Sequence, residues 1–188
     1  MKALTHDELL KILRLASTDI RNHAIILLAF RHGMRASEIC NLELRDVDLK
    51  NGQITIRRLK GSLTTTQPLA DVQGSPLMSE RRVLRAWLKE RGNHPSKYVF
   101  VSQKSGHISR MQLHRIFSDL AEQAGLPSDR RHFHMLKHSL GFALVAANVN
   151  LAIIKQALGH RSIASTAVYT QPTDETAGRA VVAALASL

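Results

Sequence analysis

What the chain is short of narrows it first. It has one cysteine among 188 residues, Cys40, which excludes an internal disulfide and any zinc or iron–sulfur site built on several thiolates. The neighbouring Glu38-Ile39-Cys40-Asn41-Leu42 reads as helix interior, so a buried thiol is expected. Aromatic residues are sparse: five Phe, two Tyr and one Trp. Single-strand binders stack successive bases on exposed rings, and most of these rings are needed for a core. The longest apolar run, Ala24 to Phe30, is too short to cross a bilayer. The opening MKALTHDELL has no uninterrupted apolar stretch and reads as the start of a helix, not a signal peptide. A cytoplasmic protein with no membrane partner is expected. Acidic residues are few as well: 15 Asp+Glu stand against 26 Lys+Arg, a net charge of +11.

That surplus points to a polyanionic partner, and with so few rings to stack bases, duplex nucleic acid held by its phosphates is the first candidate. The charge is uneven. Residues 1–60 carry eleven Lys/Arg and seven acids, residues 61–134 eleven and six, and residues 135–188 four and two. The last third is apolar and alanine-rich, as packed helices are. No Pro/Gly/Ser-rich linker, repeat or low-complexity tract divides the chain, so one domain spanning 1–188 is expected.

The periodicities predict a mainly α chain with a small antiparallel β-sheet (α+β). Thr5-His6-Asp7-Glu8 is a capping box, followed by Leu9, Leu10, Ile12, Leu13 and Leu15 at helical spacing. Further helices are expected over 19–31, 36–42, 78–91 and 110–124. From Phe133 the pattern is helical, with breaks near Asn148, Gly159-His160 and Pro172. Gln53 to Arg57 alternates as a strand does, with Thr64 to Leu69 as its partner across a turn at Lys60-Gly61-Ser62. Tyr98 to Val101 reads as another short strand.

Several polar residues stand out in chain order. Arg35 and Glu38 lie three apart in RHGMRASEICNL and share a helix-start face. Lys60 sits at the tip of the hairpin. His134, Lys137 and His138 fall together in HFHMLKHSLG. His160 follows Gly159, and Tyr169 comes nine residues later in a small-residue stretch. Singly, each has an ordinary structural explanation: a local ion pair, an exposed turn residue, a core histidine, a packed ring.

As an ordered set they resemble the tyrosine recombinase (phage integrase) family. Its catalytic domain carries an arginine in a segment like GMRASEI, a hairpin lysine, His-x-x-Arg-His, Leu-Gly-His, and a tyrosine about nine residues beyond. Gly33 to Ile39, Lys60, Ala157 to Ser162 and Thr166-x-x-Tyr169 match, and the resemblance runs from Leu4 to about Gln171. One position departs: Lys137 stands where the family has its second arginine.

The resemblance implies a site-specific recombinase of the catalytic-domain fold that cleaves and rejoins duplex DNA through a 3′-phosphotyrosyl intermediate. Tyr169 is the implied nucleophile, Arg35 and Lys137 a phosphate clamp, and His160 a hydrogen-bond donor. Lys60 is the implied acid for the 5′-oxygen, His134 a donor or proton acceptor, and Glu38 the group that orients the cluster. No metal and no other cofactor is implied. Lysine at 137 keeps the charge but loses the bidentate fork, so arginine there is expected to preserve or raise activity.

Arg57, Arg58, Arg81, Arg82, Arg85, Arg110, Arg115, Arg130 and Arg131 are the expected phosphate contacts on flanking duplex. The family's N-terminal core-binding domain is expected to be absent, and an alanine-rich helix at about 173–188 to be exchanged between protomers. The implied assembly is a DNA-induced homotetramer from a monomer or weak oligomer, acting in the nucleoid. Three rivals remain: a DNA-binding regulatory or architectural protein of the same fold with weak or no chemistry, a type IB topoisomerase, and a metal hydrolase. For the last, His134, His138 and His160 are the available ligands, but HMLKH lacks the Glu of a zincin and Lys137 repels a cation.

Overall fold

A computed structural model describes residues 3–58, 63–102 and 106–170, together with Val182 and Leu185. Lys60 and the turn around it lie outside the described residues. So does the expected C-terminal helix, apart from Val182 and Leu185, which are helical and exposed.

Eight helices are described: α1 His6–Ala16, α2 Ile20–Arg31, α3 Ala36–Cys40, α4 Glu80–Arg91, α5 Arg110–Gln123, α6 Met135–Ala146, α7 Leu151–Leu158 and α8 Ala164–Ala167. A three-stranded antiparallel sheet, β1 Val47–Asp48, β2 Gln53–Ile56 and β3 Thr65–Pro68, sits between α3 and α4 in the order β1-β2-β3. Its register pairs Val47 with Ile54 and Ile56 with Thr65. Local chemistry sets the helix starts. Thr5 and Glu8 close the capping box on α1, and Ser109 with Gln112 closes another on α5, each pair satisfying two end amides.

α2 is the centre of the domain. Its residues His23 to Phe30 are all buried, so it reads apolar on every side, as a helix enclosed by others does. α1, α4 and α6 pack around it, and α5 packs on α1 and α3. A second, smaller cluster of Ile154, Leu158 and Tyr169 is packed by Phe142, Leu144, Val145 and Val149. Leu140 on α6 touches both clusters, so α6 joins the C-terminal helices to the main core.

One expectation needs correction. Tyr98 to Val101 is not a strand: isolated bridges pair Tyr98 with Glu43 and Val101 with His107. Leu44 and Val99 amides bond to Lys97 and Leu42 carbonyls, so this segment is tied to a loop and never joins the sheet. Two of the arginines expected to contact phosphates have partners within the fold. Arg130 forks onto Glu8 (2.8 and 2.6 Å) and also donates to the Ala3 carbonyl at 2.6 Å. It fastens the start of α1 to the loop before α6, and its side chain is mostly buried. Arg131 bonds to Glu122 and to the Leu126 carbonyl. These hydrogen bonds run within the fold.

Charge-assisted forks of this kind contribute about 1–3 kcal/mol. Arg130→Ala is therefore expected to lower the free energy of unfolding by roughly 1–2 kcal/mol in urea titration; a change indistinguishable from zero would show that the fork contributes nothing.

Candidate active site

The site is built where two helix ends meet. α2 stops at Arg31 and α7 at Leu158, the latter through Gly159 in the left-handed region (φ +65°). The last carbonyls of a helix lack intrahelical partners and carry the negative end of its dipole. Here two buried cations satisfy both ends at once. Arg58 donates to the carbonyls of His32 (2.8 Å), Gly33 (3.0 Å) and Ala157 (2.8 Å). Lys137 Nζ donates to those of Gly33 (2.9 Å) and Leu158 (2.6 Å). A β-carbon on residue 159 would stand 2.6 Å from Arg58 Nε, so both the turn and the close approach require glycine.

One carboxylate answers these cations. Glu38 Oε2 accepts from Arg58 at 2.9 Å, with both side chains fully buried. The same carboxylate takes the Arg35 guanidinium at 2.9 Å and the Arg35 amide at 2.8 Å, fixing Arg35 at the start of α3. Burial alone would raise the Glu38 pKa, but the Arg58 charge and the Arg35 amide outweigh it and hold the carboxyl below its ordinary range. With Arg35, Arg58 and Lys137 against Glu38, the cluster carries excess positive charge. Burial, and then Arg58, pull Lys137 down to about 7.

Tyr169 lies beside this cluster, held by its ring. A β-carbon on Gly141 would be 2.7 Å from ring atoms, so α6 offers the ring a seat that only glycine allows. Phe142 meets it edge-on at 5.3 Å, and His160 lies parallel to it at 6.3 Å between centroids. His160 Nδ1 is 3.0 Å from the buried Thr166 hydroxyl. His138 Nδ1 is 3.2 Å from Tyr169 Oη. His134 packs against the His138 ring, 4.5 Å between centroids. Burial lowers His134 and His160 to about 4, with His138 next for the first and Lys137 next for the second. Burial also raises the Tyr169 phenol, with Arg35 acting against it.

The structure thus gathers Arg35, Glu38, His134, Lys137, His160 and Tyr169 into one place. Lys60 is outside the described residues. Two placements differ from expectation. Lys137 is 1% exposed and points at carbonyls, where the resemblance implied a clamp on a phosphate. Arg58, expected on the surface, is the hub of the cluster. Among the other expected contacts, Arg82, Arg85, Arg110 and Arg115 are exposed. Arg57 is half-exposed and pairs with Asp46 and Glu43, and Arg81 lies across Gly52 toward the Leu49 carbonyl.

Sequence reasoning placed Arg58 on the surface, named His138 and Thr166 without the contacts they make here, and missed Gly141. It also missed a buried tie from the sheet: His32 sits 2.8 Å from Gln67 Oε1 and 2.7 Å from Glu80 Oε1, while Gln67 donates to the Ala157 carbonyl at 2.9 Å. For Arg58 a signal existed. Ile54 and Ile56 are buried on alternate positions of β2, and continuing that parity puts residue 58 on the inner face.

Fold and site together define a site-specific recombinase of the tyrosine type. Comparison with known proteins agrees. The model of the phage integrase family matches residues 2–176. The chain is 43% identical over 173 residues to the type 1 fimbriae regulatory protein FimB of Escherichia coli (strain K12), covering 89% of this chain and 82% of FimB. Its fold superposes on the crystal structure of XerA recombinase with a TM-score of 0.79 at 27% identity, over 97% of this chain and 64% of that one. For the XerH site-specific recombinase bound to its difH substrate the TM-score is 0.80 at 25% identity, over 96% of this chain and 54% of that one. The chain spans roughly half to two thirds of those two solved proteins. The chain belongs to the phage integrase family.

The buried imidazoles set a stability limb in acid. In the unfolded chain each titrates near 6.5, and in the fold near 4. Below about pH 6.5 the unfolded chain binds protons that the folded one does not, so stability present at neutral pH is lost as pH falls toward 4. A His134→Gln/His160→Gln double variant is expected to lose less stability than the parent between neutral pH and pH of about 4.5, read from urea midpoints. Equal losses would refute the burial assignment.

Proposed function

We propose that this chain cleaves and rejoins duplex DNA by transesterification, with Tyr169 as the nucleophile of a 3′-phosphotyrosyl intermediate. One observation carries the reading: Tyr169 stacks on His160, and Lys137, Arg35 and Arg58 all act on that imidazole. A phosphodiester under attack gathers negative charge on its non-bridging oxygens, and preorganised cations in a largely dry site stabilise it strongly. The solved pre-cleavage complex of XerH with its difH substrate, and the Tn1549 transposon integrase solved in complex with transposon right end DNA, support DNA as the partner class for this chain.

Arg35 is the cation in reach. Its side chain is 35% exposed, so it can hold a phosphate oxygen while Glu38 keeps its position. Arg58 and Lys137 act from below, adding positive potential without contact. His160, neutral and fixed by Thr166, offers a hydrogen bond, and Lys60 supplies the proton for the departing 5′-oxygen. Oη–P bond formation accompanies P–O5′ cleavage; the energy of the broken ester stays in the phosphotyrosine, so no nucleotide or metal enters the step. Arg57, Arg82, Arg85, Arg110 and Arg115 grip flanking phosphates, and this contact weakens steeply with salt.

The whole chain acts as one catalytic domain in this reading. It assembles as a homotetramer on DNA, with segment 173–188 passing to a neighbouring protomer. The buried Lys137 favours a second reading, a DNA-binding regulatory protein of the same fold with little cleavage.

Covalent adducts on nicked duplexes separate the two. The substrate is drawn from a randomised pool, the captured sequence then serving for all rates. Tyr169→Phe is expected to abolish adducts; adducts that persist contradict the nucleophile, and none with the parent chain supports the regulatory reading. The setting of Lys137 reverses the expectation for arginine. A guanidinium is larger than the ammonium and would crowd Arg58, so Lys137→Arg is expected to slow adduct formation by at least about tenfold, where an unchanged or faster rate would show Lys137 reaching the phosphate.

A further inference from the structure

The inner face of the sheet carries two residues that an apolar core does not call for. In the β2–β3 register Ile54 pairs with Gln67 and Ile56 with Thr65, and directly opposed side chains share a face. Ile54 and Ile56 are buried, so Gln67 and Thr65 point inward with them. The Gln67 amide is used in full within the fold. Its Nε2 donates to the Ala157 carbonyl at 2.9 Å and to Thr65 Oγ1 at 3.1 Å, and its Oε1 accepts from His32 Nδ1 at 2.8 Å.

Ala157 stands in the last turn of α7, three residues before His160. Its carbonyl accepts twice: from Gln67 on β3, and at 2.8 Å from Arg58, which follows β2. Both legs of the hairpin are fastened to one atom of α7, and in sequence Lys60 falls between them. Further along the same leg, the Ala70 amide donates to Glu80 Oε2 and its carbonyl accepts from the Glu80 amide. We propose that Gln67 is a positioning residue for proton delivery to the 5′-oxygen, setting the hairpin, and with it Lys60, against the segment of His160 and Tyr169. This role rests on Lys60 as the acid, as proposed above.

A buried amide network adds little net stability over apolar residues of the same shape, but a fully satisfied one specifies a single arrangement. A general acid needs that arrangement. It must come within hydrogen-bond reach of the leaving oxygen, and a misplacement of about 1 Å costs roughly a hundredfold in rate. As Tyr169 Oη bonds to phosphorus, the P–O5′ bond breaks and the Lys60 ammonium gives its proton to O5′, becoming a neutral amine. With sulfur in place of that bridging oxygen, the leaving group departs as a thiolate and takes no proton, since a thiol ionises near about 8.5.

Single-turnover adduct formation is measured with the full chain on the nicked duplex captured above, once with oxygen and once with sulfur at the scissile 5′-bridging position. Gln67→Met removes the amide at similar length, and the milder Gln67→Asn shortens its reach to Ala157. Both are expected to slow cleavage of the oxygen ester, Gln67→Met by about ten- to a hundredfold, and to cleave the sulfur ester within about threefold of the parent. Lys60→Ala is expected to show the same split with a larger deficit on oxygen, about 10²–10⁴, and adding Gln67→Met to it is expected to slow the oxygen ester no further. A merely structural role would slow both esters alike and add to the Lys60→Ala deficit. Equal deficits on the two esters for both Gln67 variants, parent rates on the oxygen ester, or added slowing in the Lys60→Ala background each overturn the positioning role and leave Lys60 and Tyr169 in place. A Lys60→Ala deficit that sulfur does not relieve overturns the acid and the positioning role together. Absence of adducts with the parent chain overturns the cleavage reading as well.

Discussion

The arrangement depends on a buried electrostatic problem and its solution. The C-terminal ends of α2 and α7 converge, bringing together carbonyls that no helix can satisfy and dipole ends of like sign. Bare, the two ends would repel and leave polar groups dry. Arg58 and Lys137 bridge them, and Glu38 pairs with Arg58 so that the cations are not wholly uncompensated. Removing one partner of such a buried pair leaves a charge stranded, which is far more harmful than the modest net value of the intact pair. The remaining parts of the site attach to this bridge. Glu38 sets Arg35, α7 leads through His160 to α8 and Tyr169, and Gln67 fastens the sheet to the same carbonyl that Arg58 uses.

This bridge also explains the electrostatics of the chemistry. Two arginines and a lysine drawn down to about 7 stand against one carboxylate, and the histidines beside them are driven neutral by burial and by those same groups. Neutral imidazoles donate or accept a proton as their tautomer allows, which suits phosphoryl transfer. Among the described residues no group of three or more His, Cys, Asp or Glu gathers as a metal cage. The lysine at 137 is a buried basic group held on the carbonyls of Gly33 and Leu158.

Much of the frame was legible in the chain. The capping box at Thr5 and the apolar periods located the helices, and the order Arg35, His134, His160, Tyr169 announced the site. What was not legible is instructive. The chain shows that Lys137 is basic, but only packing shows that it points at carbonyls 104 and 21 residues away. Arg130 meets Glu8 across 122 residues, a distance no local pattern spans. Tyr98 to Val101 alternates like a strand yet pairs only through single bridges, because its partners are loop amides and not a sheet edge. Arg58 was readable in principle. The alternation that buries Ile54 and Ile56 continues to it, and charge was given more weight than parity.

The central claim is that Lys137 belongs to the buried bridge and not to the exposed phosphate surface. Titration of its side-chain ammonium, followed by NMR on lysine labelled at Cε, tests this most directly. A bridge lysine is predicted to titrate near 7, well below an ordinary lysine at about 10.4. A midpoint at the ordinary value would contradict the account.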